Sequence, residues 1–236
     1  MSHWYYKDGK PCTEVPKKSG GVKKPTIKEA RELGLVPSVT TILKVIQNTG
    51  LEIWKTNQIL EFAWKVKKEG NYLDWVEQVR ELASTESELA SDTGTDIHEA
   101  ITNWLQGKPY LDYYEKWVDS FKGWWNAQEK NIVGCELYIP TTNGYGGRYD
   151  IILGDTLIDI KTQNSKGKPL KTYRSWGRQL AAYGDVLNCK KLLNWVVDSQ
   201  KPDGYLVYEW EDKEKLLNEF NAAKTLWLSE NNLEAK

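Results

Sequence analysis

The sequence predicts an α/β (α+β) fold: a mixed central sheet flanked by helices and preceded by a helical N-terminal region. Three observations carry this. Apolar residues recur at helical spacing from Pro37 to about residue 130, most clearly at Tyr114, Trp117, Val118, Phe121, Trp124 and Trp125. Between Asn131 and Thr162 the pattern changes to short apolar runs. Helical character then returns at Ser175–Leu187, ahead of two more apolar runs. Helices, a three-strand meander, a helix and further strands suit a sheet covered by helices.

In chain order, Tyr5-Tyr6-Lys7-Asp8-Gly9-Lys10 carries an Asp-Gly hairpin signal. Lys17 to Pro25 reads as a flexible basic loop. Residues 1–36 are therefore expected to form an N-terminal appendage, and 37–130 a helical region. Strands are expected at Val133–Ile139, Gly146–Leu153 and Thr156–Thr162, then at Leu192–Val197 and Gly204–Trp210. Residues 131–211 thus form the core, and 212–236 a closing helix and tail, with a helix from Asp212 to Leu228. The whole is read as one compact domain. No internal repeat is found.

Composition excludes several classes. With 28% charged and 40% hydrophobic residues, the chain is neither disordered nor fibrous. No stretch approaches the ~18 apolar residues of a membrane span, and the N-terminus lacks a hydrophobic signal core, so an intracellular location and no membrane partner are expected. Three scattered cysteines exclude a disulfide scaffold and a four-cysteine zinc or iron–sulfur site. The 32 bases and 33 acids give no global field. Twelve tryptophans fall mostly at helical spacing and are read as core, in preference to a sugar-stacking platform.

The chemistry concentrates in Gly147 to Thr162. If Gly154-Asp155 forms the turn of a hairpin, Leu153 faces Thr156, Ile151 faces Ile158, and Asp150 faces Asp159. Two carboxylates at ~5 Å on one sheet repel, and a divalent cation between them would offset the cost. Strand alternation puts Lys161 on the face of Asp159. The alternative is a solvated surface charge cluster. Upstream, Thr93, Thr95 or Asp96 is expected to cap a helix carrying Ile97, Ile101 and Leu105 as its apolar stripe. His98 lies beside that stripe, as a structural residue or as an imidazole ligand that would admit Mn²⁺ alongside Mg²⁺.

These residues resemble the PD-(D/E)XK nuclease superfamily, in particular its RecB-type exonuclease branch, which includes many phage exonucleases. Gly147-Arg148-Tyr149-Asp150 is similar to that branch's G-x-x-D strand and Asp159-Ile160-Lys161-Thr162 to its D-x-K-T strand. Gly94 to Glu99 resembles its G-T-x-x-H helix, Gln179 to Tyr183 its Q-x-x-x-Y helix, and Glu136 an acidic residue of its first core strand. Pro37 to Leu43, with Ser38 and Thr40, resembles an N-terminal segment of phage members. The resemblance covers roughly Gly94 to Leu187 and implies a restriction-endonuclease-like core.

It also implies a Mg²⁺- or Mn²⁺-dependent deoxyribonuclease, an exonuclease of DNA recombination, repair or phage DNA processing. His98, Asp150, Asp159 and the Ile160 carbonyl would be metal ligands. Lys161 would orient water or stabilise charge, and Glu136 would support a second metal or a water. DNA would be the substrate, a recombination protein a possible partner, and an iron–sulfur cluster is excluded by the cysteine count. From Ser165 to Arg178 five bases (Lys166, Lys168, Lys171, Arg174, Arg178) stand without an acid. Beside a carboxylate site they read as DNA contacts, joined by Arg148, Gln179, Tyr183, Ser38 and Thr40. The rival readings are a catalytically inactive nucleic-acid-binding protein and a metal-independent glycosidase.

Overall fold

The computed structural model describes residues 3–46, 49–128 and 132–233. The expected Asp-Gly hairpin forms between β1 (Trp4–Tyr5) and β2 (Pro11–Cys12), with Gly9 at φ 86° in the turn. The basic loop is the tip of a second hairpin between β3 (Val15–Pro16) and β4 (Val22–Lys23), turning at Gly20 and Gly21. Helix α1 (Ile27–Glu32) starts at a reciprocal Thr26/Glu29 cap, and β5 (Val36–Pro37) pairs with β1. Residues 3–36 share the hydrophobic core of the central sheet. Trp4, Cys12, Val15, Ala30 and Leu35 are buried in the same core as the central sheet, where Trp4 meets Trp227 at 5.9 Å.

The helical region is α2 (Val39–Ile42), α3 (Thr49–Lys65), α4 (Tyr72–Leu105) and α5 (Glu115–Trp125). The sequence reading places a helix start at Thr93–Asp96, and this is corrected. Asn71 caps the helix, and α4 runs unbroken for 34 residues. The Thr93 and Thr95 hydroxyls donate back to the Leu89 and Ser91 carbonyls inside the helix instead of capping one.

The central sheet comprises β6 (Ile132–Cys135), β7 (Ile151–Leu153), β8 (Thr156–Gln163), β9 (Lys191–Asp198) and β10 (Tyr205–Glu209), in spatial order β10-β9-β8-β7-β6. Only β8 and β9 are parallel among these pairs, and α6 (Arg174–Val186) makes their crossover. Helix α7 (Lys213–Glu230) closes the chain. The turn reads as expected: Leu153 opposes Thr156 and Ile151 opposes Ile158. The expected strands Val133–Ile139 and Gly146–Leu153 are shorter, because the regular ladder ends at Cys135↔Ile151 and the two segments continue side by side through irregular main-chain hydrogen bonds and an isolated Tyr138↔Arg148 bridge.

Period-two alternation splits the core. Ile158, Ile160, Trp195 and Val197 face α4 and α5 with Ile97, Ile101 and Phe121. Leu157 and Leu192 face α6 and α7 with Leu180, Leu216 and Phe220. Both faces are covered along the middle of β8, so a polar group buried there, Asp159, must find a partner. No helix among the described residues is long and apolar enough to cross a membrane.

Candidate metal centre

Helix α4 presents His98 to the edge where β6, β7 and β8 diverge. Its Nε2 lies 3.0 Å from Asp150 Oδ2 and 3.5 Å from Glu136 Oε1. One ligand atom from each of His98, Glu136 and Asp150 falls within 4.8 Å of the others. Asp150 departs from the expected ladder. Pairing ends at Ile151↔Ile158, and the Asp150 carboxylate itself accepts the Ile160 N–H at 2.6 Å. The two aspartates are neighbours as expected, but a side chain replaces main chain at that step. Glu136 holds φ 57°, a left-handed conformation rare outside glycine, where the chain leaves β6.

Asp159 and Lys161 share a face of β8, with Lys161 Nζ 2.8 Å from Asp159 Oδ1. Gln179 of α6 accepts from the same ammonium at 3.4 Å. Asn194, directly beside Asp159 across the parallel pair, donates to Asp159 Oδ2 at 2.6 Å and accepts from the Trp210 indole at 2.8 Å. The sequence reading missed Asn194 and Trp210. The signal was a polar residue inside the apolar run Leu192–Val197, which a strand covered on both sides admits only with a partner.

The electrostatics separate the carboxylates. Burial pushes Asp159 up to about 6, with the Asp150 charge adding and the Lys161 ammonium opposing. Burial also resists charge on Asp150, but His98, Lys161 and the Ile160 N–H together hold it below the ordinary carboxylate range. Burial, then the Asp150 charge, raises Glu136 against His98 and Arg148. His98 is raised: burial works against the imidazolium, and the two nearby carboxylates prevail.

The donor set suits a hard divalent cation. Glu136 Oε1 is buried and makes no hydrogen bond, although its other oxygen meets Arg148 Nε at 2.8 Å. An ionised oxygen left in that state is costly, and a cation shared with His98 and Asp150 would offset it. Two carboxylates and one imidazole favour Mg²⁺ or Mn²⁺ over thiophilic metals.

The segments singled out in the sequence lock together in pairs. A Cβ on Gly147 would sit 2.5 Å from the Tyr183 ring, so this glycine is the socket of that tyrosine. Gly94 stands in the same relation to Thr162. Gln179 reaches Lys161, and His98 reaches Asp150. Their spacing is thus a packing solution around one strand.

The expected phosphate-contact residues divide. Lys166, Lys168 and Lys171 are exposed, with Lys166 3.2 Å from Glu61 of α3. Arg174 forms a bidentate pair with Glu219, and Arg178 meets the same carboxylate at 2.8 Å. Tyr183 is buried on Gly147 and Gln179 is buried beside Lys161. Ser38 is buried, caps α2 by accepting from the Thr41 N–H, and lies 3.1 Å from the Thr40 hydroxyl.

No family model matches the chain, and no curated protein matches it. Among solved structures, it is similar to an alkaline exonuclease, LHK-Exo, from Laribacter hongkongensis. In complex with dAMP, that structure aligns at 17% identity over 86% of this chain and 90% of that one, with a TM-score of 0.46. A second LHK-Exo structure aligns at 18% identity over 77% and 92%, with a TM-score of 0.39. A protein described as SSO0001 aligns at 18% identity over 76% and 87%, with a TM-score of 0.32.

Proposed function

We propose that the protein is a metal-dependent deoxyribonuclease that hydrolyses phosphodiester bonds from DNA ends. One observation carries the reading: an ammonium, Lys161, is anchored on the central strand beside a partly buried imidazole–carboxylate group in which one buried carboxylate oxygen makes no hydrogen bond. A glycosidase has no use for that ammonium or for His98. An inactive binding fold would have no need to gather three carboxylates, an imidazole and an ammonium in one place.

Bound Mg²⁺ or Mn²⁺ would neutralise charge on the scissile phosphate and lower the pKa of water. His98, Glu136 and Asp150 would hold it, with Asp159 and the Ile160 carbonyl completing the set as the resemblance implies. Lys161 stays charged between Asp159 and Gln179, so it can donate to the attacking water or to the developing negative charge. The exposed lysines of the loop after β8 would hold neighbouring phosphates that the carboxylates repel. The products would be a 5′-phosphate and a free 3′-hydroxyl, and DNA recombination, repair or phage DNA processing is the setting the resemblance implies.

The test is digestion of end-labelled single- and double-stranded DNA, linear and circular, with Mg²⁺, Mn²⁺ or EDTA. Linear DNA should be degraded with either metal and spared with EDTA. Lys161→Ala should lose at least a hundredfold in rate, the scale of one transition-state donor. Cleavage unaffected by EDTA, or a Lys161→Ala protein as fast as the parent, would sink the proposal.

A further inference from the structure

An amide buried on a sheet can present either of its ends to a neighbour, and the two choices have opposite electrostatic consequences. Asn194 has no such freedom. It is fully buried on β9, between the Trp210 indole and the Asp159 carboxylate. An indole N–H can only donate, so the Asn194 oxygen must face Trp210. The amino group is thereby turned to Asp159, where it reaches both the side-chain Oδ2 at 2.6 Å and the main-chain carbonyl at 3.2 Å.

Trp210 is itself immobilised. Its main-chain N–H donates to Leu192 at 2.9 Å, and its ring lies against Gly177 of α6, where a Cβ would stand 2.8 Å from it. The order therefore runs from a glycine seat through the indole and the amide to the carboxylate. At the carboxylate's other oxygen Lys161 donates at 2.8 Å. Turning the carboxylate out of this plane would weaken both contacts. A neutral donor also stabilises the buried anion without adding a cation that would compete with a metal.

We propose that Asn194, oriented by Trp210, is a positioning residue that fixes the Asp159 carboxylate for catalysis; this rests on the nuclease reading above. Asn194→Leu removes the donor at similar volume, and its kcat should fall roughly tenfold or more, the scale of a hydrogen bond to a charged group. Asn194→Asp sets a carboxylate against a carboxylate and should fall further. Trp210→Phe keeps the bulk but frees the amide to turn, and should lose a few-fold. Trp195→Phe is the matched control, because its indole N–H is buried without a partner and belongs to the opposite face of the sheet.

The experiment measures kcat and KM, DNA affinity in Ca²⁺ and the thermal midpoint for all four variants. A merely structural role would lower the midpoint and leave the kcat of the folded protein alone. Positioning lowers kcat with KM and DNA affinity within about twofold of the parent, and Trp195→Phe unchanged. Parent-like kcat in both Asn194→Leu and Trp210→Phe would overturn the inference. Should Asn194→Leu not fold, Trp210→Phe decides alone. If the parent itself fails to cut DNA, the nuclease reading falls. Crystal structures of the folded variants then judge the positioning: a displaced Asp159 carboxylate upholds it, and an unmoved one rejects it.

Discussion

Gly94 and Thr162 meet with no room between them: a Cβ added to the glycine would stand 2.5 Å from the threonine hydroxyl. Helix propensity alone would make alanine at position 94 stabilising by about 1 kcal/mol. Contact with β8 reverses that sign, because the added methyl must push α4 away or displace Thr162. Gly94→Ala should cost about 1–3 kcal/mol. His98 lies one helical turn further along α4, so its distance to Asp150 should grow as well. Thermal melts check this, with Gly94→Ala/Thr162→Ala recovering most of the loss. A Gly94→Ala protein that melts above the parent would remove the packing account.

Metal should stabilise the fold in proportion to its differential binding. At a hundredfold excess over Kd, one Mn²⁺ adds about 2.7 kcal/mol, which EDTA takes away. His98→Ala should lose most of that gain while its metal-free midpoint stays near the parent's. Glu136→Gln should melt no lower than the parent without metal, because a buried oxygen with no hydrogen bond is relieved of its charge. With metal it should gain less. Scanning calorimetry with Mn²⁺, Mg²⁺ and EDTA decides; a full metal response in His98→Ala would make that histidine a packed structural residue.

Acid stability should depend on Glu219. Hydrogen bonds from Arg174, then from Arg178, hold its carboxyl at about 2 against an ordinary 4.5. The folded pKa is below the unfolded one, so the unfolded chain binds more protons between them. The stabilisation is complete above about pH 5 and is lost as the pH falls toward 2. Glu219→Gln should flatten that limb of the stability curve. It should also release Arg178 and leave Arg174 held by Asp212 alone, raising DNA affinity at low salt and steepening its salt dependence. Urea melts across pH and anisotropy titrations in Ca²⁺ read the two effects separately.

The exposed lysines make a complementary case. Replacing Lys166, Lys168 and Lys171 together by alanine should weaken DNA binding equally for all sequences. It should also flatten the slope of log affinity against log salt, by about one unit for each phosphate no longer neutralised. Slow cleavage should persist at saturating DNA, since the carboxylates are untouched. An unchanged slope would return this loop to an ordinary solvated surface.

What the sequence disclosed depended on the range of the interaction. The register of β7 on β8 was readable because Gly154-Asp155 and the flanking alternation are local, and Lys161 shares a face with Asp159 for the same reason. Helices α6 and α7 were readable from their apolar stripes to within two residues at each end. The unbroken run of α4 was not, since Thr93-Gly94-Thr95 carries the local marks of a helix start. Only contact with Thr162 explains the glycine there. The partners of Arg174 and Arg178 were hidden as well. Glu219 lies on another helix, and a count of charges along the chain cannot see across that gap. The orientation of Asp159 by Asn194 and Trp210 likewise needs the parallel pairing of β8 and β9, which no local pattern announces.

That parallel pairing has a consequence for how the molecule comes into being. Antiparallel β7 and β8 close through a short turn, but β9 reaches β8 only through the long crossover that carries α6. The entropy of that longer closure must be met before its contacts repay it, which makes the step slow relative to the hairpin. A chain emerging from the ribosome presents His98, Glu136, Asp150, Asp159 and Lys161 well before Asn194 and Trp210. It therefore holds every charged group of the centre while lacking the strand that seats them. Asn194 and Trp210 arrive only with the last fifth of the sequence, so a prematurely terminated chain would carry the charged groups of the centre without the strand that orders them.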